Sequence, residues 1–222
     1  MRLAVKFKKG VPVRFVSHLD VQRLFHRAFR RAKLPLAYSQ GFNPHPLVSF
    51  AAALSVGMTS DGEYLDVILT EGMTPEEFRS RLDPVLPEGV EIVSVMDLGE
   101  SKKSLTSAMR TASYTANVLF DADVSQEAVS SAITGLLSGE IVVMKKTKGG
   151  IKPTDIRPMV IELDLVSLAE RNAVFKLKGV LSAEGGLNPD MLLAELYKKL
   201  GVSGASEVNR DEIEMDIDSL LA

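Results

Sequence analysis

Along this chain of 222 residues the spacing of apolar residues switches repeatedly between two and about 3.6, and that switching limits the fold more than any other feature. Leu3, Val5 and Phe7 alternate with Arg2, Lys6 and Lys8, the period of a half-buried strand. Gly10 and Pro12 mark a turn, and extended structure is expected over 13–16. Ser17 then offers an N-cap, with Asp20 three residues on as the acidic half of a capping box. The spacing predicts a helix over 19–33. At 100° per residue Leu24, Phe25, Ala28, Phe29 and Ala32 share one sector, while Arg23, Arg27 and Arg30 lie opposite, with Arg31 at the margin. Pro35 follows the helix end. A Gly/Asn/Pro loop (39–46), a strand (47–53), a turn around 60–62 and a strand (63–70) come next. Thr74, Pro75, Glu76 and Glu77 supply an N-cap, a proline at the first helical position and first-turn acids. That helix should end near 86, ahead of a strand at 89–96. The order is β-α-β-β-α-β, a ferredoxin-like unit.

Residues 99–111 have a linker's composition, after which the order recurs. A strand is expected at 113–120, a helix at 125–137 and a strand at 140–146. A basic loop over 148–155 interrupts, followed by a β-hairpin of 159–168 and 173–181. Asn188, Pro189 and Asp190 open a helix to 200, and 206–215 is a last strand. The acidic end, 212–222, reads as frayed. The expectation is an α+β chain of two ferredoxin-like (βαββαβ) units with antiparallel sheets: a basic unit 1–98, a linker 99–111, and a second α+β unit 112–222 carrying the acidic tail.

Charge is distributed unevenly. The formal net charge is −3, yet residues 1–50 hold ten Lys/Arg and one acid, and residues 51–100 hold two Arg and eleven acids. A pI near 5.7 excludes a protein coated in basic charge but allows one face of positive potential. The absence of Cys excludes disulfide frameworks, zinc ribbons, thiol nucleophiles and cysteine-held iron–sulfur clusters. The first residues lack the apolar run of a signal peptide, and the longest mostly apolar stretch, 47–58, is too short to span a bilayer. A cytoplasmic protein without membrane partners is expected.

Three sets of residues carry chemistry. Arg23, Arg27 and Arg30 form a stripe suited to successive RNA phosphates, with Lys148, Lys152 and Arg157 as a second basic patch and Tyr38 and Phe42 as stacking surfaces for unpaired bases. A solvated face, or one paired with the acids of 61–91, would have the same pattern. His18, His26 and His45 are all the histidines. His18 and His26, eight residues apart, lie about 12 Å apart along a helix and cannot share one ion from it. His18, Asp20 and His45 could converge as a catalytic or substrate-contacting set if the proline-flanked loop folds over the helix start; capping and packing roles would serve equally. No metal site is expected. In the loop Gly41 permits positive φ, Asn43 tolerates the left-handed region, and Pro44 and Pro46 hold His45 in extended geometry. Asp155, between Pro153 and Pro158, is a candidate carboxylate or simply the centre of a turn.

The motifs Arg14-Phe-Val-Ser-His-Leu-Asp20, Leu34-Pro-Leu-Ala-Tyr-Ser-Gln-Gly-Phe-Asn-Pro-His-Pro46, Glu63-Tyr-Leu-Asp66 and Lys152-Pro-Thr-Asp-Ile-Arg157, with the arginine-rich helix between the first two, resemble the radical SAM-linked family of bacterial proteins of unknown function. The family's C-terminal Lys/Arg-rich motif is not evident here. The resemblance implies a separate or fused radical SAM protein with a cobalamin-binding-type domain as partner, and its gene associations hint at RNA. Without Cys this chain holds no cluster and so no such cofactor of its own. The leading expectation is an accessory protein of a radical SAM enzyme, binding tRNA or rRNA for modification or processing. Alternatives are an RNA-processing or base-modifying enzyme using His18, Asp20 and His45, and a protein-interaction module docking the radical SAM partner. Whether the chain is itself an enzyme stays open.

Overall fold

A computed structural model describes residues 1–99, 101, 103–147 and 150–221. The chain is α+β, its strands mostly antiparallel and its helices few. It divides into two compact units, Met1–Arg110 together with the residues from Glu212 on, and Thr111–Asp211.

The first unit contains β1 (Arg2–Lys9), α1 (His18–Arg31), β2 (Val48–Phe50), β3 (Thr59–Ile68), α2 (Pro75–Leu82), β4 (Val90–Asp97) and the short α3 (Leu105–Ala108). Its strands run β4-β1-β3-β2 across the sheet, every pair antiparallel. The capping box forms: Ser17 Oγ accepts from the Asp20 amide and donates to Asp20 Oδ2 at 2.7 Å. The apolar sector of α1 buries Val21, Phe25, Ala28 and Phe29 against Leu3, Val5 and Phe7 of β1 and Leu65 and Val67 of β3. Phe25 meets Phe7 edge-on at 4.8 Å between ring centres, and Phe29 reaches Phe78 of α2 at 6.2 Å. Two expectations change here. Residues 11–13 form a single 3₁₀ turn rather than extended chain. The turn expected at 60–62 is a β-bulge inside β3, where the register slips by one between Phe7↔Glu63 and Lys9↔Ser60.

The second unit contains β5 (Met109–Phe120), α4 (Gln126–Leu137), β6 (Val142–Thr147), β7 (Gly150–Asp155), β8 (Val160–Ala169), β9 (Asn172–Ser182), the two-residue β10 (Gly185–Gly186), α5 (Pro189–Leu200) and β11 (Gly204–Met215). β8 pairs with β9, β9 with β5, and β5 neighbours β11. Asn188 caps α5 by accepting from the Asp190 amide at 2.9 Å, and Gly201 ends it at φ 71°, where a side chain would be strained. The core gathers Tyr114, Phe120, Phe175, Leu192 and Leu196. Most of the basic stretch expected as a loop is instead β7, which pairs with β6 as a separate two-stranded ribbon inserted between α4 and β8. Pro153 suggested a break, but a two-stranded ribbon has two open edges, on which a residue without an N–H costs no ladder bond.

The acidic end is not frayed. Residues from Glu212 return to the first unit, where Glu212 pairs with Lys6 and Asp216 with Arg110 at 3.1 Å. α6 (Ile217–Leu221) then buries Leu220. Ser101 and Lys103, in the expected linker, are likewise tied down: the Arg2 guanidinium holds Asp66 through three hydrogen bonds and donates to the Ser101 and Lys103 carbonyls at 2.5 and 2.7 Å.

Candidate functional site

Helix α1 turns its arginines outward. Arg23, Arg27, Arg30 and Arg31 are all exposed, as amphipathic spacing requires once the phenylalanines face inward. Arg23 pairs with Asp20 at 2.8 Å, with both groups exposed, and Arg31 donates to the Val85 carbonyl. Arg27 and Arg30 make no hydrogen bond or ion pair with the described residues. The acids that follow in sequence do not neutralise this face: Asp66 goes to Arg2 and Asp61 to Lys8. Two acids of the α2 region pair with its own arginines, Arg81 with Glu77 and Arg79 with Asp83.

The 39–46 loop lies beside this helix. Tyr38 and Pro46 form a β-bridge. Between them the Ser39 amide donates to the His45 carbonyl at 2.9 Å, the His45 amide donates to Ser39 Oγ, and His45 Nδ1 lies 2.8 Å from that oxygen. The tip is thereby closed into a short, cross-bonded turn with Gly41 at φ 126°. Phe42 is fully exposed at the tip, Tyr38 half exposed, and Asn43 exposed. His45 lies near enough to His26 that, with burial as the main cause and Arg30 as a second, it depresses the His26 pKa. That proximity sets His45 of the loop near His26 of α1.

His18, Asp20 and His45 do not share partners. Asp20 faces solvent, its carboxyl held below the usual range by Ser17 and then Arg23. His45 is bound to Ser39. His18 turns inward: its Nε2 lies 3.1 Å from Gln22 Nε2, its ring meets Phe50 edge-on at 5.3 Å, and burial lowers its pKa. It faces a pair that spacing alone did not single out, Lys9 and Glu63, exposed by only 3% and 4%. Strand alternation places Lys9 on the same face as Phe7, and Glu63 on the same face as Leu65. Lys9 Nζ donates to the Arg14 carbonyl at 2.9 Å and the Met58 carbonyl at 3.5 Å, joining two loops. Burial lowers the Lys9 pKa and Glu63 partly opposes that shift. The three groups line a narrow cavity with Phe7 and Phe50 that has room for about one water molecule.

In the second basic patch, Lys148 lies outside the described residues and Lys152 is exposed on the ribbon. Arg157 is held internally, donating to the Leu137 and Val160 carbonyls at 2.7 and 3.0 Å. Asp155 Oδ1 accepts from the Ile141 and Arg157 amides at 2.8 and 2.9 Å, fixing the ribbon's base. Among the described residues no group of three or more His, Asp or Glu side chains could hold a metal ion. No helix among them is long and apolar enough to cross a membrane.

Fold and surface together define an α+β protein with a basic helical face beside a rigid aromatic-tipped loop. The chain belongs to the family described as "uncharacterized protein conserved in bacteria (DUF2344)", whose profile matches residues 2–189. No curated protein matches the sequence. Among solved structures the fold is similar to that of a Cbf5–Nop10–Gar1 complex (TM-score 0.56, 11% identity, 95% of this chain and 48% of that one). It is also similar to an H/ACA RNP bound to a substrate RNA containing 2′-deoxyuridine (TM-score 0.54, 10% identity, 94% and 46%). An archaeal box H/ACA sRNP Nop10–Cbf5 complex gives TM-score 0.51 at 14% identity over 94% and 46%. The chain thus spans about half the length of the chains it matches, and at such identities the likeness is one of fold.

Proposed function

We propose that this protein binds RNA, using the outer face of α1 and the 39–46 loop, and acts as an accessory to an enzyme that modifies or processes that RNA. One observation carries the reading: Arg27 and Arg30 project without a hydrogen bond or ion pair to the described residues, alongside a fully exposed Phe42 held on a cross-bonded loop. An unpaired guanidinium row suits phosphates, and an exposed ring on a rigid turn suits an unstacked base, which offers a π-face whatever its identity. The antiparallel strand orders support the ferredoxin-like reading of the chain, and the solved structures of similar fold include one bound to a substrate RNA. A radical SAM partner is proposed on the sequence motifs alone; such an enzyme would supply the cluster that a chain without Cys cannot bind.

The test is filter binding of total tRNA and rRNA across a salt series. The Arg23→Glu/Arg27→Glu/Arg30→Glu variant should weaken binding steeply and flatten the logarithmic salt slope by about 2 if three single-strand phosphate contacts are lost. Phe42→Ala should weaken binding and leave the slope unchanged. Equal affinity and slope for wild type and the triple variant would overturn the reading.

A further inference from the structure

The β6–β7 ribbon carries an unexplained cost. A two-stranded sheet standing alone is marginal in water, and this one places Lys145 directly opposite Lys152, an arrangement of like charges that weakens a cross-strand pair. Neither lysine, nor Lys146, has a hydrogen bond or ion pair with the described residues. On the reverse face Met144 sits opposite Pro153 and Ile151 opposite Lys146. Met144 and Ile151 are 62% and 67% exposed. The base, by contrast, is firmly built. Ile141 and Ile156 are buried and joined by a 2.8 Å backbone bond, and Asp155 and Arg157 fasten the ends. Beyond the buried Val143, a rigid stem therefore presents a ribbon with Lys145 and Lys152 on one face and Met144 and Ile151, beside Lys146, on the other.

We propose that this ribbon is a second RNA-binding element, distinct from the α1 face: Lys145 and Lys152 grip a phosphate between them, and the Met144–Ile151 strip lies against the adjoining sugar and base surfaces. Charge complementarity selects the occupant. A pair of facing lysines is relieved by an anion placed between them, and a polyanion whose charges alternate with flat apolar surfaces satisfies both faces at once. This rests on the RNA-binding reading above and adds a site that the arginine helix does not need.

The experiment measures binding of end-labelled total tRNA by the full chain across a salt series. Three variants are compared: Lys145→Ala/Lys152→Ala, Met144→Ser/Ile151→Ser, and Arg27→Glu/Arg30→Glu. Circular dichroism melts confirm that each folds. The lysine variant should bind about tenfold more weakly, with its logarithmic salt slope reduced by about 0.7, the loss of the one single-strand phosphate held between the two lysines. The serine variant should weaken binding at unchanged slope. If tRNA binds and the arginine variant weakens it while the lysine variant matches wild type, the ribbon proposal fails and the α1 reading stands. If wild type shows no salt-dependent binding, both fail. If polyglutamate competes with tRNA only in chains with intact ribbon lysines, and as effectively per charge, the ribbon is an acidic-protein site and the RNA assignment is overturned.

Discussion

Replacing Lys9 by Met tests whether the inward-facing charged cluster stabilises the first unit. The substitution preserves length and removes the ammonium, which is 3% exposed and faces a Glu63 that is 4% exposed. It also removes the donor to the Arg14 carbonyl at 2.9 Å. Removing one of two opposite buried charges costs about 3–5 kcal/mol, because the other remains out of water. With the lost donor included, the expected destabilisation is about 4 kcal/mol, against the 5–15 kcal/mol by which domains are typically stable.

The double-mutant cycle gives the prediction its signature. Glu63→Gln combined with Lys9→Met removes the stranded charge and should recover most of the loss, with a coupling energy of about 3 kcal/mol. Urea unfolding at pH 7 measures all four corners. A Lys9→Met loss below about 1 kcal/mol at pH 7, or strict additivity with Glu63→Gln, would refute the reasoning.

Other outcomes follow from the same geometry. Phe25→Ala removes a fully buried ring that meets Phe7, Phe29 and Phe50, and should cost about 3–5 kcal/mol in urea unfolding; a loss under about 1.5 would contradict the packing. Ser17→Ala deletes the cap on the Asp20 amide and should cost about 1 kcal/mol by the same measurement. The pKa values of His18 and His26 are both depressed, first by burial. The unfolded chain therefore binds more protons, and their contribution to stability is present above about pH 6.5 and lost as pH falls from there through the lower folded values. His18→Gln should make the stability profile between pH 7 and 5 measurably flatter, and an unchanged profile would remove His18 as a source. Arg157→Lys gives up a planar fork that reaches two carbonyls, and should cost about 1–3 kcal/mol and speed amide exchange at Ile141 and Ile156.

Local signals carried most of the element order. The alternation in β1, the sector of α1 and the caps at Ser17, Thr74 and Asn188 are set within a few residues and could be read before any contact was known. Pairings between distant strands were not legible in the same way. β7 looked like a loop because Gly150, Pro153 and Asp155 are turn formers when considered singly; only β6 makes them a strand. Lys9 gave a signal that was easy to misread. It stands two residues after Phe7, in phase with the core, but a lysine at a strand end reads as surface until Glu63 is known to lie beneath the same helix. That meeting depends on the β1–β3 register, which sets Phe7 opposite Glu63 and which no pattern in either strand announces.

The surface charge required structure for a further reason, and it bears on function. Ten basic residues in the first fifty, followed by eleven acids in the next fifty, leave mutual cancellation of the two sets open. Folding sorts the cations by partner instead. Arg2 goes to Asp66 and Lys9 turns toward Glu63, both inside the first unit, while Glu77 and Asp83 are taken by Arg81 and Arg79. Arg157, in sequence a surface cation like any other, is committed to two carbonyls. The cations without a hydrogen bond or ion pair to the described residues include Arg27 and Arg30 on α1 and Lys145, Lys146 and Lys152 on the ribbon, beside the scattered Lys33, Lys103 and Lys199. A cluster of like charges lowers stability unless something of opposite sign meets it. The α1 row and the ribbon lysines are therefore the two places where an anion bound from outside would offset the most repulsion.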